Sequence, residues 1–219
     1  MGVEISAQSV KELRDKTSAG MMDCKKALQE ANGDMAKAME TLRQKGLASA
    51  NKKASRIATE GVIESYIHMG GKLGVMVEVN CETDFVARRP EFQELAKNIA
   101  MQIAASPSVE YINLQSIPSD IVEKEKEIES SKEDLAKKPA EIKEKIVEGR
   151  IQKRLKELTL MDQFFIRDSS ITIDELIKQN VAKLGENIQV RRFERFVLGE
   201  GLQKRTENFS EEVEKMIKK

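Results

Sequence analysis

Asn80-Cys-Glu-Thr-Asp-Phe-Val-Ala-Arg88 joins the most strand-like segment of the chain to its clearest helix. Before this stretch, apolar side chains occupy every second position, at Leu73, Val75, Val77 and Val79. This alternation is typical of a strand that buries one face. After the stretch, apolar side chains recur at helical spacing, at Phe92, Leu95, Ala96, Ile99 and Ile103. The sequence therefore predicts a strand, a short presented turn and a helix in direct succession.

Pro90 sets the boundary between the turn and the helix. A proline has no amide donor and suits the first helical position, and it pushes Arg89 towards an extended conformation. The residues before it must therefore form a turn of their own. Thr83 can cap this turn, and Asp84 beside it complements the exposed amides. Phe85 then lies on a stiff bend next to an acid, although ordinary core packing of Phe85 is equally consistent with the residues alone.

Residues 1–55 are predicted to form a three-helix unit followed by a basic and helical linker. Ser9 with Glu12 three positions later fits a capping box for the first helix. Asp34 follows an Asn-Gly pair and is the expected cap of the third helix. Gly46 is expected to stop that helix. The unit therefore has its own start and stop signals.

Met21 and Met22 are adjacent in the second predicted helix. Neighbouring residues on a helix point in different directions, so both cannot face the interior. Core packing is the ordinary role of a methionine, but at least one of these two is predicted to be a surface contact.

Residues 56–118 and 159–205 are predicted to form one discontinuous α+β core. A strand from Gly61 to Met69 and the strand from Leu73 would make a hairpin around Gly70-Gly71. A helix from Ile171 to Leu184 and a third strand from Ile188 to Leu198 would complete a small antiparallel sheet with flanking helices.

The third predicted strand changes its pattern in the middle. Ile188 and Val190 share one parity, whereas Phe193 and Val197 share the other. Either the strand has a bulge near Arg191-Arg192 or both of its faces are covered.

Residues 119–158 are predicted to form a projecting helical coiled-coil hairpin, because Glu and Lys dominate and apolar residues recur at heptad spacing. The predicted seam residues are Ile121, Ile128 and Leu135 before Pro139, and Ile142, Ile146 and Ile151 after it. Residues 206–219 are predicted to form a C-terminal helix that docks on another element.

The composition limits the classes of function. The 219 residues, 40% of them hydrophobic and 34% charged, suffice for one or two compact domains. Basic and acidic residues both number 37, so no overall field favours nucleic acid or a membrane. Only two cysteines occur and no long apolar run, which predicts a cytoplasmic protein. Asn208-Phe-Ser210 fits the glycosylation pattern, which arises by chance in a cytoplasmic chain.

The sequence gives little support for catalysis. His68 is the single histidine and has no motif around it. One histidine and two distant cysteines give none of the short ligand spacings of a zinc site. Neither a Walker sequence nor a dinucleotide-binding fingerprint is present. We therefore predict a protein-binding module that is not an enzyme and holds no metal and no cofactor.

Several motifs follow one another along nearly the whole chain. They are Val10-Lys-Glu-Leu-Arg14, Thr17-Ser-Ala-Gly-Met-Met-Asp-Cys-Lys-Lys-Ala-Leu28, Ala31-Asn-Gly-Asp34, Thr83-Asp-Phe-Val86, Glu148-Gly-Arg150 and Phe196-Val-Leu-Gly-Glu-Gly201. In this order they resemble the elongation factor Ts family of bacteria and organelles. The resemblance implies a guanine nucleotide exchange factor that binds elongation factor Tu in its GDP-bound and nucleotide-free states.

The resemblance also implies which residues act. They are Thr83, Asp84, Phe85 and Val86 in the turn, and Arg14, Met21 and Met22 in the N-terminal module, which resembles a ubiquitin-associated (UBA-like) domain. Phe85 would enter a pocket in the G domain of elongation factor Tu, and Asp84 would reach groups that support the bound magnesium. The N-terminal residues would contact the same G domain.

One departure from the family concerns the core. Long members carry a duplicated core, whereas this sequence has one copy, and short members of the family associate. A sheet of three strands leaves a face or an edge that a second copy could cover. We therefore predict a homodimer, or a two-plus-two assembly with elongation factor Tu.

Two other functions remain as alternatives. The main one is a ribosome- or RNA-associated assembly factor that uses the basic linker and the charged hairpin. The other is a metabolic enzyme, for which the sequence offers no base cluster.

Overall fold

The computed structural model describes residues 5–17, 19–135 and 139–202. The helices are α1 (Ala7–Thr17), α2 (Met21–Glu30), α3 (Met35–Lys53), α4 (Asp84–Ala87), α5 (Pro90–Ala105), α6 (Ser119–Ser130), α7 (Ala140–Leu158) and α8 (Ile173–Leu184), with short 3-10 turns at Leu114–Ser116 and Glu133–Leu135. The strands are β1 (Glu60–Ile67), β2 (Leu73–Cys81), β3 (Phe164–Phe165), β4 (Asp168–Thr172) and β5 (Ile188–Val197). The predicted α+β class is confirmed. The helix expected at 206–219 and the Asn208-Phe-Ser210 pattern lie outside the described residues.

The central sheet is antiparallel and has the order β1-β2-β5. Its middle strand is β2, whose Val75, Val77 and Val79 are buried on the inner face. Along β5 the register shifts, since Glu78 lies opposite Arg192 while Val79 lies opposite Val190. Arg191 is therefore the extra residue of a bulge, which is the first of the two alternatives that the change of parity in the sequence left open.

The β1–β2 pairing requires a glycine at position 61. Gly61 has φ +145°, and a Cβ there would lie 2.1 Å from the Val79 carbonyl oxygen. The predicted hairpin turn is also present, with φ of +86° at Gly70 and +66° at Gly71. Both conformations are easily reached only by glycine, so these residues fix the approach of the two strands.

The main core lies between the inner face of the sheet and helices α5 and α8. Helix α5 packs against β1 and β2, and α8 packs against β5 and α3. The predicted apolar face of α5 is buried, and Pro90 is its first residue as expected. Helix α8 begins with a capping box formed by Thr172 and Glu175 and ends at Gly185 in the left-handed conformation. Its C-terminus therefore leads directly into β5, beside the end of β2.

The β3–β4 hairpin is tied to α5 by a buried amide. The Gln102 Nε2 atom donates to the Phe164 carbonyl oxygen (3.1 Å), and the Ile166 amide donates to Gln102 Oε1 (2.8 Å). The Gln102 side chain thus bonds to the backbone of residues 164 and 166 as a neighbouring strand would.

Helices α1, α2 and α3 enclose a separate cluster that includes Leu13, Cys24 and Leu28. The predicted capping box is wrong, because α1 begins at Ala7 and Glu12 pairs with Lys16 instead (2.7 Å). The predicted cap of α3 is confirmed, since the Lys37 amide donates to the Asp34 carboxylate. The likeness of this unit to a UBA domain stays a prediction.

The predicted stop at Gly46 is also wrong, because α3 continues without a break to Lys53. A Cβ at Gly46 would lie 3.2 Å from the Ala182 Cβ, so the glycine allows α3 to approach α8 closely. The Arg43 guanidinium also reaches Glu175 on α8 (3.1 Å). Tertiary packing therefore outweighs the weak helix propensity of glycine here.

Helices α6 and α7 pack against each other as a helical hairpin, while the predicted coiled-coil packing stays a prediction. The apolar cluster of the hairpin, centred on Leu135, Val147 and Ile151, is separate from the main core. The predicted seam is wrong at Ile128 and Ile142, which are half-exposed.

Charged side chains link α6 and α7 in place of part of that seam. Glu125 pairs with Arg154 (3.6 Å). Glu129 is buried and pairs with Lys132 and Arg150. The two helices are therefore held partly by ion pairs, which a heptad pattern does not reveal.

Candidate protein-binding site at the end of the central strand

The turn predicted after β2 is a one-turn helix that presents an aromatic side chain. Thr83 is its N-cap, and the Val86 amide donates to Thr83 Oγ1 (3.4 Å). The side chains of Val86 and Ala87 are buried, whereas Phe85 is 78% exposed. The predicted partner contact of Val86 does not fit this burial, because Val86 packs in the main core and anchors the turn from below. Phe85 is left pointing to solvent from a fixed base.

Asp84 lies beside Phe85 and is also accessible. Its Oδ2 atom accepts a hydrogen bond from Arg88 Nη2 (2.8 Å), four residues later in the chain. Both side chains are largely exposed, so this ion pair contributes little to stability, about 0.3–0.5 kcal/mol. Asp84 can therefore leave Arg88 for another partner at small cost. Sequence reasoning did not single out Arg88, although the spacing of four residues was a visible signal.

The carboxylate of Glu186, two residues before β5, holds the turn through hydrogen bonds, and it was not identified from the sequence. The Glu186 Oε2 atom accepts hydrogen bonds from the Glu82 amide (3.1 Å) and the Thr83 amide (3.0 Å). The Glu186 Oε1 atom accepts one from Thr83 Oγ1 (2.6 Å). In return, the Asn187 amide donates to Glu82 Oε1 (2.7 Å). Since Glu186 follows Thr83 by 103 residues, no local pattern could have indicated this contact.

Cys81 supports the turn from inside. Its side chain is buried, and its Sγ atom donates to the Thr83 carbonyl oxygen (3.1 Å). Burial, with a further contribution from the nearby charge of Glu186, raises the pKa of the Cys81 thiol to about 11. The group is therefore a thiol at neutral pH and is not an activated nucleophile.

The predicted N-terminal contact residues lie on a second surface. Met21 and Met22 are 45% and 65% exposed at the start of α2, and Arg14 is exposed on α1. The prediction that at least one methionine faces outward is confirmed, and in fact both do. Helices α1 and α2 pack with α3, whereas α4 packs against β1, β2 and α5. The structure thus assigns the two sets of predicted contact residues to two different surfaces.

A third accessible surface is the outer face of the central sheet, which we call the outer sheet face. Its apolar side chains are Ile63, Ile67, Met76 and Phe196, each between 49% and 66% exposed. Their backbones are neighbours in the sheet register. At one end of the face, the Arg191 and Arg192 guanidinium groups bond to Glu78 and hold the pKa of that carboxyl below its usual range. An apolar patch of this kind marks an interaction surface.

The described residues give little support for catalysis by His68 or for metal binding. The His68 ring lies beside Tyr66, with its Nδ1 atom 3.1 Å from the Tyr66 hydroxyl oxygen. Within residues 5–17, 19–135 and 139–202, no group of three or more His, Cys, Asp or Glu side chains could hold a metal ion. No helix in the same residues is long and apolar enough to span a bilayer.

Comparison with known proteins identifies the family. The family model described as elongation factor TS matches residues 3–200. An elongation factor Ts from Guillardia theta, named chloroplastic, is 76% identical over the full length of both chains. One from Porphyra purpurea, also named chloroplastic, is 63% identical over the full length of both chains. One from the Picosynechococcus strain PCC 7002 is 67% identical over 96% of each chain. The motifs, the presented turn and these matches agree, and the chain belongs to the elongation factor Ts family.

Proposed function

We propose that this protein is a guanine nucleotide exchange factor that binds elongation factor Tu–GDP and promotes GDP release in translation elongation. Its family implies this activity. The observation that carries the proposed mechanism is Phe85, which is 78% exposed on a one-turn helix with a buried underside. A large apolar side chain held outward on a fixed backbone is typical of a binding anchor.

Phe85 and Asp84 act on different parts of the partner in this proposal. Phe85 enters an apolar pocket of the G domain, while Asp84 disturbs the groups around the magnesium ion. A factor that binds the nucleotide-free state more tightly than the GDP-bound state must weaken GDP binding by the same ratio. Exchange therefore needs only differential binding and no covalent chemistry.

Phe85 cannot supply the whole effect. Burial of one phenylalanine contributes about 1.5–3 kcal/mol, which is roughly ten- to a hundredfold in an equilibrium constant. We propose that Arg14, Met21 and Met22 add a second contact with the G domain. Exposed methionines suit this role because their flexible side chains adapt to a partner surface.

The outer sheet face supports the proposed homodimer. Its four apolar side chains are exposed in a single chain, and a second copy could cover them. Met76→Glu would place a charge at the centre of this face and should convert a dimer to a monomer in light scattering. A wild-type protein that is monomeric at micromolar concentration would contradict the dimer.

The exchange activity is tested by stopped-flow release of fluorescent GDP from elongation factor Tu. We expect the protein to accelerate release in a concentration-dependent way, and no acceleration at saturating protein would contradict the proposal. RNA binding with a steep salt dependence, together with unchanged GDP release, would instead support the ribosome- or RNA-associated assembly factor.

The names of the relatives bear on the compartment of the protein. A cytoplasmic location remains the prediction from the sequence. The names of the Guillardia and Porphyra relatives add the chloroplast as a second location for the exchange reaction.

A further inference from the structure

The exchange turn depends on a residue outside the motif that contains it. Glu186 receives three hydrogen bonds from the turn, two from backbone amides and one from the Thr83 hydroxyl. We propose that Glu186 is a positioning residue that holds Phe85 in its binding orientation. This role rests on the exchange function proposed above and adds to it a residue of the segment just before β5.

The position of Glu186 explains why a side chain is needed here. The last pair in the β2–β5 ladder is Cys81 with Ile188. Beyond this pair the backbone ladder stops, and the amides of Glu82, Thr83 and Asn187 lose their strand partners. The carboxylates of Glu186 and Glu82 accept from these amides across the same gap. Side chains therefore continue the pairing of two strands for one more step.

The helix that carries Phe85 is too short to be stable by itself. Helix α4 has only four residues, and a single helical turn is unstable without outside support. Its underside is fixed by Val86 and Ala87, which are buried. Its N-terminal side is fixed by Thr83, whose Oγ1 atom both accepts from Val86 and donates to Glu186. The link from Glu186 to Phe85 thus passes through one cap residue.

Removal of the Glu186 side chain should act locally. Glu186 is only partly buried, so its loss leaves no closed apolar cavity, and water can reach the amides that it releases. The turn would lose its preferred orientation while the sheet and α8 keep their packing. This behaviour distinguishes a positioning residue from one that supports the whole fold.

The first test measures GDP release in a double-mutant cycle. Glu186→Ala should lower the rate of stimulated release about tenfold, which corresponds to about 1.4 kcal/mol. In a Phe85→Ala background, the same change should lower it less than about threefold, because coupled residues are not additive. A full tenfold loss in both backgrounds would show that Glu186 does not act through Phe85 and would overturn the proposal.

A conservative variant tests whether the hydrogen bonds of Glu186, and not its charge, hold the turn. In Glu186→Gln, the amide oxygen can still accept from both backbone amides, and the amide nitrogen can donate to Thr83 Oγ1. Release should therefore stay within about threefold of the wild-type rate. A Glu186→Gln protein as defective as Glu186→Ala would contradict a positioning role.

The second test needs no partner and separates this proposal from the exchange function. In the free protein, the Ala87 amide donates to the Thr83 carbonyl oxygen, and the Arg88 amide donates to that of Asp84. Hydrogen exchange at these two amides should accelerate about tenfold in Glu186→Ala, while β2 amides keep their protection. Unchanged exchange at the two amides would refute the proposal even if GDP release were slowed.

A matched control addresses general loss of stability. Gln102→Ala removes another side chain that clamps two backbone groups, but from the β3–β4 hairpin and far from the turn in the fold. It should lower the unfolding midpoint at least as much as Glu186→Ala and leave GDP release unchanged. If it slows release equally, the Glu186 effect is a stability effect and the proposal fails. If wild-type protein does not accelerate release at all, the exchange function fails, and hydrogen exchange alone decides the role of Glu186.

Discussion

Replacement of Phe85 by alanine separates a binding anchor from a core residue. Because Phe85 is 78% exposed in the free protein, the change removes almost no internal packing. The free energy of unfolding should therefore change by less than about 0.5 kcal/mol. In the complex, however, the ring would lose burial of about 1.5–3 kcal/mol, so GDP release should slow roughly ten- to a hundredfold.

The measurement pairs stopped-flow GDP release with urea unfolding of the free variant. Val86→Ala is the matched control, since Val86 is the next residue but is only 7% exposed. It should lower the free energy of unfolding by about 1–2 kcal/mol through lost burial and a small cavity. A Phe85→Ala protein that is as destabilised as Val86→Ala would show that Phe85 is a core residue. A stable Phe85→Ala protein with normal GDP release would remove Phe85 from the exchange mechanism.

Four further outcomes are expected. Asp84→Ala should slow GDP release, and this defect should shrink when magnesium is chelated, whereas equal magnesium sensitivity of the Phe85 variant would contradict separate roles. Paired replacement of Met21 and Met22 by alanine should weaken binding to elongation factor Tu in calorimetry without unfolding, and unchanged affinity would exclude this surface. A short linker in place of residues 119–157 should leave a folded, active protein by circular dichroism and GDP release, because the hairpin has its own apolar cluster. Since the folded pKa of Cys81 is raised from 9.0 to about 11, the contribution of Cys81 to native stability should be fully present below pH 9 and be lost as the pH rises towards 11. Cys81→Ala should lack this pH-dependent loss in urea unfolding.

The features predicted correctly from the sequence depend on neighbouring residues. Pro90 restricts its own backbone and that of the preceding residue, so the boundary of the turn was visible locally. Thr83 caps the turn by a bond to an amide three residues later, which is also a local relation. The bulge at Arg191 was one of two alternatives predicted from the sequence, because a bulge reverses which face each later side chain occupies.

The features that the sequence did not predict depend on distant partners. Gly46 is a helix stop by propensity, yet α3 continues through it to Lys53 and packs against α8, where a Cβ at position 46 would lie 3.2 Å from the Ala182 Cβ. Ile128 is half-exposed, and ion pairs such as Glu125–Arg154 link the two helices of the hairpin, a feature that a heptad pattern does not contain. The grip of Glu186 on Thr83 joins positions 103 residues apart, and one sequence carries no signal for it.

The uninterrupted course of α3 sets both the distance and the relative rotation between the elements that pack along this helix. Its 19 residues span about 28 Å at 1.5 Å per residue, and each residue turns the helix by about 100°. Helix α2, which carries the surface of exposed methionines, packs against α3, and α3 also packs against α8. One residue inserted between Leu42 and Gly46 would turn that surface by about 100°, whereas seven would restore its direction to within about 20°. The number of residues in α3 thus sets the direction in which the methionines face relative to α8, without a change to Met21 or Met22 themselves.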